Sequence, residues 1–288
     1  MSTREALQWS DSGAEVFVPD GADIATALAR TTHLGIGAHS DDLEIMAYHG
    51  IAQCFGVAER WFTAVTVTDG RGSARAATYR DFNDAQMVEV RNREQKKAAS
   101  VGEYSAAVLL NHESARVKDP RDVAVPSDLR QILTAATPDV IYTHNLADKH
   151  DTHVAVALRV IDALRRLHPD ERPNLLVGCE VWRDLDWLCD RDKVVMAVDA
   201  HPHLADALLG IFDSQIAGGK RYDLATRGRR LANATFFESH EVDNRQALIW
   251  GMDLTPLLAD DTIDPLAFVE DYIDRFADEV SARVRRLR

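Results

Sequence analysis

The sequence predicts an α/β fold built around one mostly parallel β-sheet. Short apolar runs with strand character alternate with helix-like stretches, and this alternation is typical of a parallel sheet. With 46% hydrophobic and 27% charged residues among 288, the chain has enough apolar material for one large core. We therefore expect a single domain over residues 1–288. The predicted strands are 33–38, 61–68, 104–110, 139–144, 175–182, 194–198 and 235–238.

The predicted helices lie between these strands and carry recognisable start and stop signals. Glycine ends the long second helix, Pro126 precedes the third, and a His-Pro pair follows the fourth. Two turn-rich stretches, 69–74 and 111–126, are long enough to be surface loops over a site. The predicted helices are 42–56, 83–102, 127–136, 152–167, 201–216, 222–232 and 265–288.

Charge and cysteine content exclude several classes of partner and compartment. A formal net charge of −13 argues against nucleic acid or an anionic membrane as the main partner. The three cysteines, Cys54, Cys179 and Cys189, lack the spacing of a disulfide framework or a thiolate zinc site. The chain opens without a secretion signal, and no apolar run approaches the ~18 residues of a membrane span. We expect a cytoplasmic protein, and a homo-oligomer is compatible with the sequence.

Two segments rich in histidine and aspartate each follow a predicted strand. Residues 38–44 read Ala-His-Ser-Asp-Asp-Leu-Glu, and residues 148–153 read Asp-Lys-His-Asp-Thr-His. In open parallel sheets, ligands bind beyond the carboxyl ends of the strands. Both segments are therefore expected at the functional edge of the sheet.

Each segment holds two potential metal ligands three residues apart: His39 with Asp42, and His150 with His153. The partial positive charge of a helix N-terminus favours neutral imidazole and ionised carboxylate, which are the forms that bind metal. Two histidines and one carboxylate leave open positions for water and substrate, as in catalytic zinc sites. The sequence therefore predicts a mononuclear metal site with an adjacent general base, as in a metal-dependent hydrolase.

The same residues resemble the motifs of the PIG-L, or LmbE-like, metal-dependent N-deacetylases. The first family motif, Ala-His-Pro-Asp-Asp-x-Glu, matches residues 38–44 except that serine replaces proline. The second, commonly Asp-x-His-x-Asp-His, matches residues 148–153 except that Thr152 stands where the family has aspartate. The resemblance spans about 33–240 and leaves 241–288 as a C-terminal helical extension. Weaker similarities are Thr68-Asp69-Gly70, Arg91 with Glu94, Ser214-Gln215, and 234–238 near the last family strand.

The resemblance implies a Rossmann-like three-layer sandwich and assigns roles to five residues. His39, Asp42 and His153 would hold the metal, and Asp41 would deprotonate the bound water. His150 would stabilise the oxyanion or protonate the leaving amine. Zinc is the expected ion, although Fe²⁺, Co²⁺ or Mn²⁺ also suits these ligands. The implied reaction removes an N-acyl group, expected to be acetyl, from a small polar substrate such as an amino sugar or glycoconjugate.

Other polar residues near the two segments are candidates for substrate contact. Arg71 and Arg75 follow the second predicted strand, where they either contact substrate or remain solvated. His144 and His240 lie near strand ends and either line the pocket or are satisfied polar groups. Glu44 either hydrogen-bonds within the metal site or complements the helix dipole.

Two other functions remain open at the level of sequence. Metal phosphoesterases also use clustered histidine and aspartate, although this set supplies too few ligands for an obvious second ion. The second open function is a sugar-binding or regulatory protein that keeps the metal site but has no activity. Thr152 favours this reading, because its hydroxyl supports less charge than the family's carboxylate. Asp148 or Asp151 could supply the missing carboxylate.

Overall fold

The computed structural model describes residues 7–288, which contain an eight-stranded sheet. In chain order the strands are β1 Glu15–Phe17, β2 His33–Gly37, β3 Phe62–Thr68, β4 Ala106–His112, β5 Val140–His144, β6 Leu175–Cys179, β7 Lys193–Ala197 and β8 Leu248–Asp253. Across the sheet their order is β1-β4-β3-β2-β5-β6-β8-β7. The five strands from β4 to β6 pair in parallel, whereas β1, β8 and β7 join by antiparallel pairing.

Helices connect most of these strands. They are α1 Ile24–Ala29, α2 Asp42–Met46, α3 Tyr48–Cys54, α4 Asp84–Val101, α5 Ser114–Lys118, α6 Ala124–Ala136, α7 Asp151–Arg165, α8 Pro202–Gly210, α9 Asp213–Ile216, α10 Tyr222–Phe236, α11 Pro256–Ala259 and α12 Pro265–Leu287. Within residues 7–288, no helix combines the length and the apolar character needed to cross a membrane.

Helices cover both faces of the sheet and make it the middle layer of a sandwich. Because side chains alternate along a strand, Val65 and Val67 of β3 point to one face, whereas Phe62 and Ala64 point to the other. Apolar side chains of α1, α6 and α7 form one buried cluster on the first face. Those of α2, α3, α4 and α8 form a second cluster on the opposite face. The predicted α/β fold with a mostly parallel sheet is confirmed.

The C-terminal part of the chain differs from the prediction. The predicted strand at 235–238 is wrong: α10 continues to Phe236, and its buried residues Arg230, Asn233 and Ala234 recur at helical spacing. The segment 241–288 is not a purely helical extension either. Its first part contributes β8, which lies inside the sheet between β6 and β7. β1 is the other strand outside the predicted set.

The predicted first helix, 42–56, is divided at Ala47 into α2 and α3. Ala47 leaves helical geometry, with φ −108° and ψ 16°. The guanidinium of Arg230 donates to the carbonyl oxygens of Glu44 and Ile45 at 2.7 and 3.0 Å. These bonds satisfy carbonyl groups that the short α2 helix leaves without helical partners.

The other helix predictions are close to the structure. α4, Asp84–Val101, is one residue shorter at each end than the predicted 83–102, because Asn83 and Gly102 cap the helix. The predicted helix 201–216 is divided into α8 and α9. The predicted loop 111–126 contains the end of β4, all of α5 and the first turn of α6. Pro126 lies in that first turn, where the missing N–H of proline costs no helical hydrogen bond.

Candidate metal centre

A cavity of about 510 Å³ opens at the carboxyl ends of the central strands. From β2 the chain moves through β3 to β4 on one side, and it resumes with β5 and β6 on the other. This reversal of strand order leaves the crevice in which open α/β sheets bind ligands. The residues predicted for the site that line the cavity are His39, Asp41, Asp42, Arg71, His150 and Thr152.

Three potential ligand atoms, from His39, Asp42 and His153, converge beside this cavity. His39 Nδ1 lies 3.4 Å from Asp42 Oδ2 and 3.3 Å from His153 Nε2. His153 Nε2 lies 3.5 Å from Asp42 Oδ2. A tetrahedral zinc ion with bonds of about 2.0–2.1 Å keeps its ligand atoms about 3.3–3.4 Å apart. The donor set and its spacing therefore fit a divalent ion.

The turn between β2 and α2 directs His39 and Asp42 to the same point. The backbone N–H of His39 donates to Asp42 Oδ2 at 2.7 Å. Between them, Asp41 adopts a left-handed conformation with φ 88°, which few residues other than glycine adopt. Residues held in such conformations cluster at functional sites, where the surrounding structure offsets their strain. In this turn the conformation places Asp41 and Asp42 in succession on the cavity wall.

Asp148 orients His153. Its Oδ1 accepts from the His150 backbone N–H at 2.9 Å, and its Oδ2 accepts from the Trp182 backbone N–H at 3.1 Å. Oδ2 also lies 3.4 Å from His153 Nδ1. A proton on Nδ1 shared with this carboxylate leaves the Nε2 lone pair free to bind metal. Asp148, rather than the exposed Asp151, thus supplies a carboxylate partner to the histidine.

Electrostatics keep the ligand carboxylate ionised. Burial opposes ionisation of Asp42, but His153 and His144 beside it hold its pKa well below the ordinary value. Burial likewise opposes protonation of His153, yet Asp42 and Asp148 raise its pKa above the ordinary value. The carboxylate and the imidazole therefore stabilise each other, and a divalent cation can replace the proton that they share.

His144 lies underneath the centre and not on the cavity wall. Its side chain is completely buried, its ring stacks on His153 at 3.9 Å, and its Nε2 accepts the backbone N–H of Ala38 at 2.9 Å. Its ligand atom also lies within 4.8 Å of those of Asp148 and His153. The His144 Nε2 lone pair already accepts a hydrogen bond, and His153 is shared with the group of His39 and Asp42. His144, Asp148 and His153 therefore do not form an independent ion site. The structure thus does not bring His144 to a substrate.

Asp41 is the carboxylate adjacent to the three candidate ligands. Its Oδ1 lies 3.6 Å from Arg91 Nη2, and its buried Oδ2 has no hydrogen-bond partner in the structure. Burial raises the pKa of Asp41 to about 8, although the positive charge of Arg91 acts in the opposite direction. A group with such a pKa can accept and release a proton near neutral pH.

Arg91 holds the loops around Asp41, a role that the sequence did not indicate. Its guanidinium is buried and donates to the Ser40 carbonyl oxygen and, at 3.4 Å, to the Ser214 hydroxyl. Arg91 Nη1 also lies 4.0 Å from Glu94 Oε2, one turn further along the same helix. Glu94 in turn accepts from the backbone N–H and hydroxyl of Ser214 at 2.8 and 2.6 Å. α4 therefore ties the turn after β2 to α9.

The cavity opening is lined by His150, aromatic side chains and lysines. The His150 ring stacks on His153 at 4.5 Å and meets the His39 ring edge-on at 5.1 Å. Burial and the neighbouring histidines lower the pKa of His150, and its Nδ1 has no hydrogen-bond partner. Beyond it, the rings of Trp182 and Tyr222 meet edge-on at 6.1 Å, with Lys220 Nζ 5.1 Å from the Trp182 ring.

The sequence reasoning missed these aromatic and basic side chains. Trp182 follows β6, and its place after a parallel strand could have indicated it. Lys220 and Tyr222 lie between α9 and the start of α10, where no sequence signal indicates a site.

The remaining predicted residues occupy different positions. Thr152 lines the cavity, but its hydroxyl pairs with the Ser114 hydroxyl at 2.8 Å instead of a histidine. Arg71 lies on the wall and pairs with Asp69 and Glu113 at 2.5 and 2.7 Å. Closeness to the two motifs in the sequence thus does not determine which polar groups are free to contact a substrate.

Arg75, Glu44 and His240 do not line this cavity. Arg75 pairs with Asp84 on the outer side of the loop. Glu44 is completely buried, and its Oε1 accepts from Gln95 and Tyr104 at 2.8 and 2.9 Å. His240 lies in the exposed stretch after α10.

The chain is similar to one protein family and to several solved structures. Residues 34–164 match the family model described as PIG-L, GlcNAc-PI de-N-acetylase. A comparison with curated protein sequences gives no match. The matched segment begins in β2 and ends in α7, so it contains both His/Asp motifs.

Several solved structures share the fold. N,N′-diacetylchitobiose deacetylase from Pyrococcus horikoshii is 13% identical with a TM-score of 0.62, over 80% of this chain and 86% of that chain. The 4-carboxy-2-hydroxymuconate hydratase GalB from Pseudomonas putida is 14% identical with a TM-score of 0.58, over 78% and 96%. The A40926 pseudoaglycone deacetylase Dbv21 is 15% identical with a TM-score of 0.54, over 78% and 97%. Identities this low show the fold alone, whereas the family match adds the motifs. The resemblance to the PIG-L family is thereby confirmed over residues 34–164.

Proposed function

We propose that the protein is a metal-dependent hydrolase that removes an N-acyl group, expected to be acetyl, from an amino sugar or a related glycoconjugate. One observation carries the proposal. The ligand atoms of His39, Asp42 and His153 converge within 4.8 Å of one another, beside a cavity whose wall includes Asp41. A metal-ligand set with a carboxylate base next to it is the equipment that hydrolysis of an amide bond needs.

His39, Asp42 and His153 would hold the ion, with zinc as the leading choice and Fe²⁺, Co²⁺ or Mn²⁺ compatible with the same ligands. The ion supplies Lewis acidity, which makes a water molecule easier to deprotonate and an acyl carbonyl easier to attack. Asp148 supports the site by fixing the orientation of the His153 ring.

Asp41 acts as the general base in this proposal. Its unpartnered Oδ2 accepts a proton from the attacking water and then passes that proton to the nitrogen of the leaving amine. The water oxygen forms a bond to the acyl carbon, and the bond between that carbon and the amide nitrogen then breaks. One water is consumed, and a carboxylate and an amine are released. A divalent ion held by the neighbouring ligands would lower this raised pKa of Asp41 and so favour the ionised form that a general base needs.

His150 stabilises the negative charge that develops on the acyl oxygen. Its lowered pKa makes the ring neutral at pH 7, and a neutral imidazole can donate one N–H to this oxygen. Donors aimed at a developing oxyanion contribute on the order of a hundredfold or more to the rate. Its edge-on contact with His39 places it next to the candidate ligands.

The side chains at the cavity opening support a sugar as the substrate. Trp182 and Tyr222 offer apolar ring surface to the C–H groups of a pyranose, and Lys220 offers donors to its hydroxyl groups. Two proteins that share the fold are named as deacetylases, one of them of N,N′-diacetylchitobiose. A third is named as a hydratase, so the shared fold alone does not select the reaction.

The decisive experiment couples metal analysis of the purified protein to a fluorescamine screen for primary amines. Substrates would be N-acetylated amino sugars, glycoconjugates and thiol conjugates. We expect about one ion per chain and amine release from at least one class. Asp41→Asn should keep the ion and lower kcat by about a hundredfold or more. The control is Glu59→Gln, which changes an exposed carboxylate before β3, at the opposite edge of the sheet, and should retain most activity.

The other outcomes distinguish the alternatives. Wild-type turnover in Asp41→Asn would refute the base assignment, and an unchanged metal content in both His39→Ala and His153→Ala would refute the ligand set. Phosphate release from generic esters without amine release would favour a phosphoesterase. Bound metal without turnover on any substrate of the screen would favour a sugar-binding protein.

A further inference from the structure

The peptide group between Ser40 and Asp41 is held at both of its polar ends by side chains of α4. Arg91 donates to its carbonyl oxygen, which belongs to Ser40. Gln95 Oε1 accepts from its N–H, which belongs to Asp41, at 3.4 Å. Arg91 and Gln95 are four residues apart, so they lie on the same face of the helix, and both are buried. One helix thus fixes the plane of a single peptide group in the turn after β2.

This peptide group gives Asp41 its left-handed backbone. A φ of 88° is strained for a residue that carries a Cβ atom. Rotation of the peptide plane by about 180° would bring φ from 88° to about −90°, which is an ordinary value. The same rotation would turn the N–H toward the Arg91 guanidinium and the carbonyl oxygen toward Gln95 Oε1. Donor would then face donor and acceptor would face acceptor, so the two side chains oppose a rotation that relieves the strain.

Glu44 determines which end of the Gln95 amide faces the peptide. An amide carries an acceptor and a donor of similar shape, so a reversed Gln95 would present its NH₂ group and could accommodate the rotated carbonyl. Glu44 Oε1 accepts from Gln95 Nε2 at 2.8 Å and from the Tyr104 hydroxyl at 2.9 Å. Reversal of the amide would place Gln95 Oε1 against this carboxylate oxygen. Gln95, Glu44 and Tyr104 are all buried, so bulk water does not replace these bonds.

We propose that Gln95 is a positioning residue for Asp41 and that Glu44 acts through Gln95. This inference rests on the proposed function, in which Asp41 is the general base. The orientation of the peptide sets the direction in which the Asp41 side chain leaves the backbone, and therefore whether its carboxylate reaches the cavity wall. Gln95 and Glu44 do not line the cavity, so contact with a substrate does not explain them. Glu44, the last residue of the first motif, thereby gains a role beneath the site.

Gln95→Met tests the role of the amide, because methionine has a similar length but forms none of these hydrogen bonds. We expect kcat to fall by about tenfold or more, since small displacements of a catalytic group have effects of this size. KM and metal content should stay at the wild-type values, because Gln95 contacts neither the cavity nor a candidate ligand. Wild-type kcat in Gln95→Met would overturn the inference.

A double-variant cycle tests whether Glu44 acts through Gln95. Glu44→Met should lower kcat by about threefold, and adding it to Gln95→Met should cause no further loss, because the two residues form one path. Losses that multiply in the double variant would overturn this part of the inference. The exchange of Gln95→Glu with Glu44→Gln keeps an acceptor for the Asp41 N–H and a donor between the two side chains. It should recover most of the lost kcat, and an exchange variant as slow as Gln95→Met would also count against the proposal.

Ile132→Ala is the control for a general loss of stability. Ile132 is completely buried in α6, in the core cluster on the opposite face of the sheet. Its truncation should lower the melting temperature and leave kcat unchanged. A fall of kcat in Ile132→Ala as large as that in Gln95→Met would attribute the effect to stability and would overturn the positioning role.

Crystal structures of the wild type and of Gln95→Met separate this inference from the proposed function. We expect one orientation of the Ser40–Asp41 peptide in the wild type and an at least partly rotated peptide in the variant. A peptide that keeps its single orientation in Gln95→Met would overturn the inference. A wild type that releases no amine from any substrate would refute the proposed function instead, and the peptide orientation would still decide whether Gln95 holds the Asp41 backbone.

Discussion

Replacing Asp148 by asparagine tests how the candidate metal centre is oriented. The two carboxylate oxygens accept from two backbone N–H groups at 2.9 and 3.1 Å, and one of them also faces His153 Nδ1 at 3.4 Å. An asparagine has only one carbonyl oxygen. Its amide group must therefore face either the His150 N–H or the donors of Trp182 and His153, so that donor meets donor.

The expected magnitude follows from this loss. Burial opposes ionisation of Asp148, but its hydrogen bond and charge interaction with His153 hold its pKa below the ordinary value, so the carboxylate is charged at pH 7. The substitution removes this charge and loosens the ring that presents Nε2. Changes to such supporting partners typically cost about 10–100-fold in metal affinity or activity, which corresponds to about 1.4–2.7 kcal/mol.

Competition with a chromophoric chelator would measure zinc affinity, and the amine-release assay would measure kcat on the same preparations. Asp151→Asn is the matched control, because Asp151 lies three residues further along the chain and is exposed. We expect Asp148→Asn to lose affinity and the control to keep it. Equal affinities for wild type and Asp148→Asn, or an equal loss in both variants, would show that this carboxylate does not orient the site.

Three further predictions concern stability. A Cβ atom at Gly50 would lie 2.5 Å from the Tyr142 ring, so Gly50→Ala should destabilise the fold by about 1–3 kcal/mol in urea titrations. Gly228 lies in helix α10, and a Cβ atom there would have no neighbour within 4 Å, so Gly228→Ala should stabilise the fold by up to about 1 kcal/mol. A change of stability in the same direction for both glycine variants would contradict the packing argument. Burial lowers the pKa of His33 from 6.5 to about 4, so the unfolded chain binds this proton first and stability should fall as pH drops through that window. The free energy of unfolding of His33→Gln should depend less on pH over this window, whereas that of His168→Gln, at an exposed position, should keep the wild-type dependence. Parallel curves for wild type and His33→Gln would contradict a role for His33. Removing bound metal with a chelator should lower the melting temperature, and zinc should restore it, because a ligand of the folded state stabilises by mass action; a melting temperature that is unchanged after proven metal loss would contradict a preformed site.

The two His/Asp motifs could be found in the sequence because their spacing is local, and the resemblance to the PIG-L family selected His39, Asp42 and His153 among their residues. His39 and Asp42 lie three residues apart in one turn, and the geometry of that turn brings both side chains to the same point. His153 follows a strand that is the direct neighbour of β2, and apolar periodicity identified both strands. The sequence thus contained nearly all the information needed to bring these three residues together.

The supporting residues could not be predicted in the same way. Asp148 and Asp151 are equally plausible partners of His153 in sequence, but only Asp148 is held in place by a backbone N–H from the loop after β6. Arg91 lies near Glu94 on the same helix, but it also donates to the Ser40 carbonyl oxygen in the turn after β2. These contacts join residues far apart in the chain, and no local periodicity records them.

By itself, the sequence determined the α/β class, the strands that carry the candidate site and the two motifs that contain the candidate ligands, because these depend on periodicity and short spacing. The tertiary structure alone decided that Asp148 supports His153, that His144 lies beneath the cavity, and that β8 completes the sheet. Each of these features depends on packing or strand pairing between distant segments, which many sequences with the same local pattern could arrange differently.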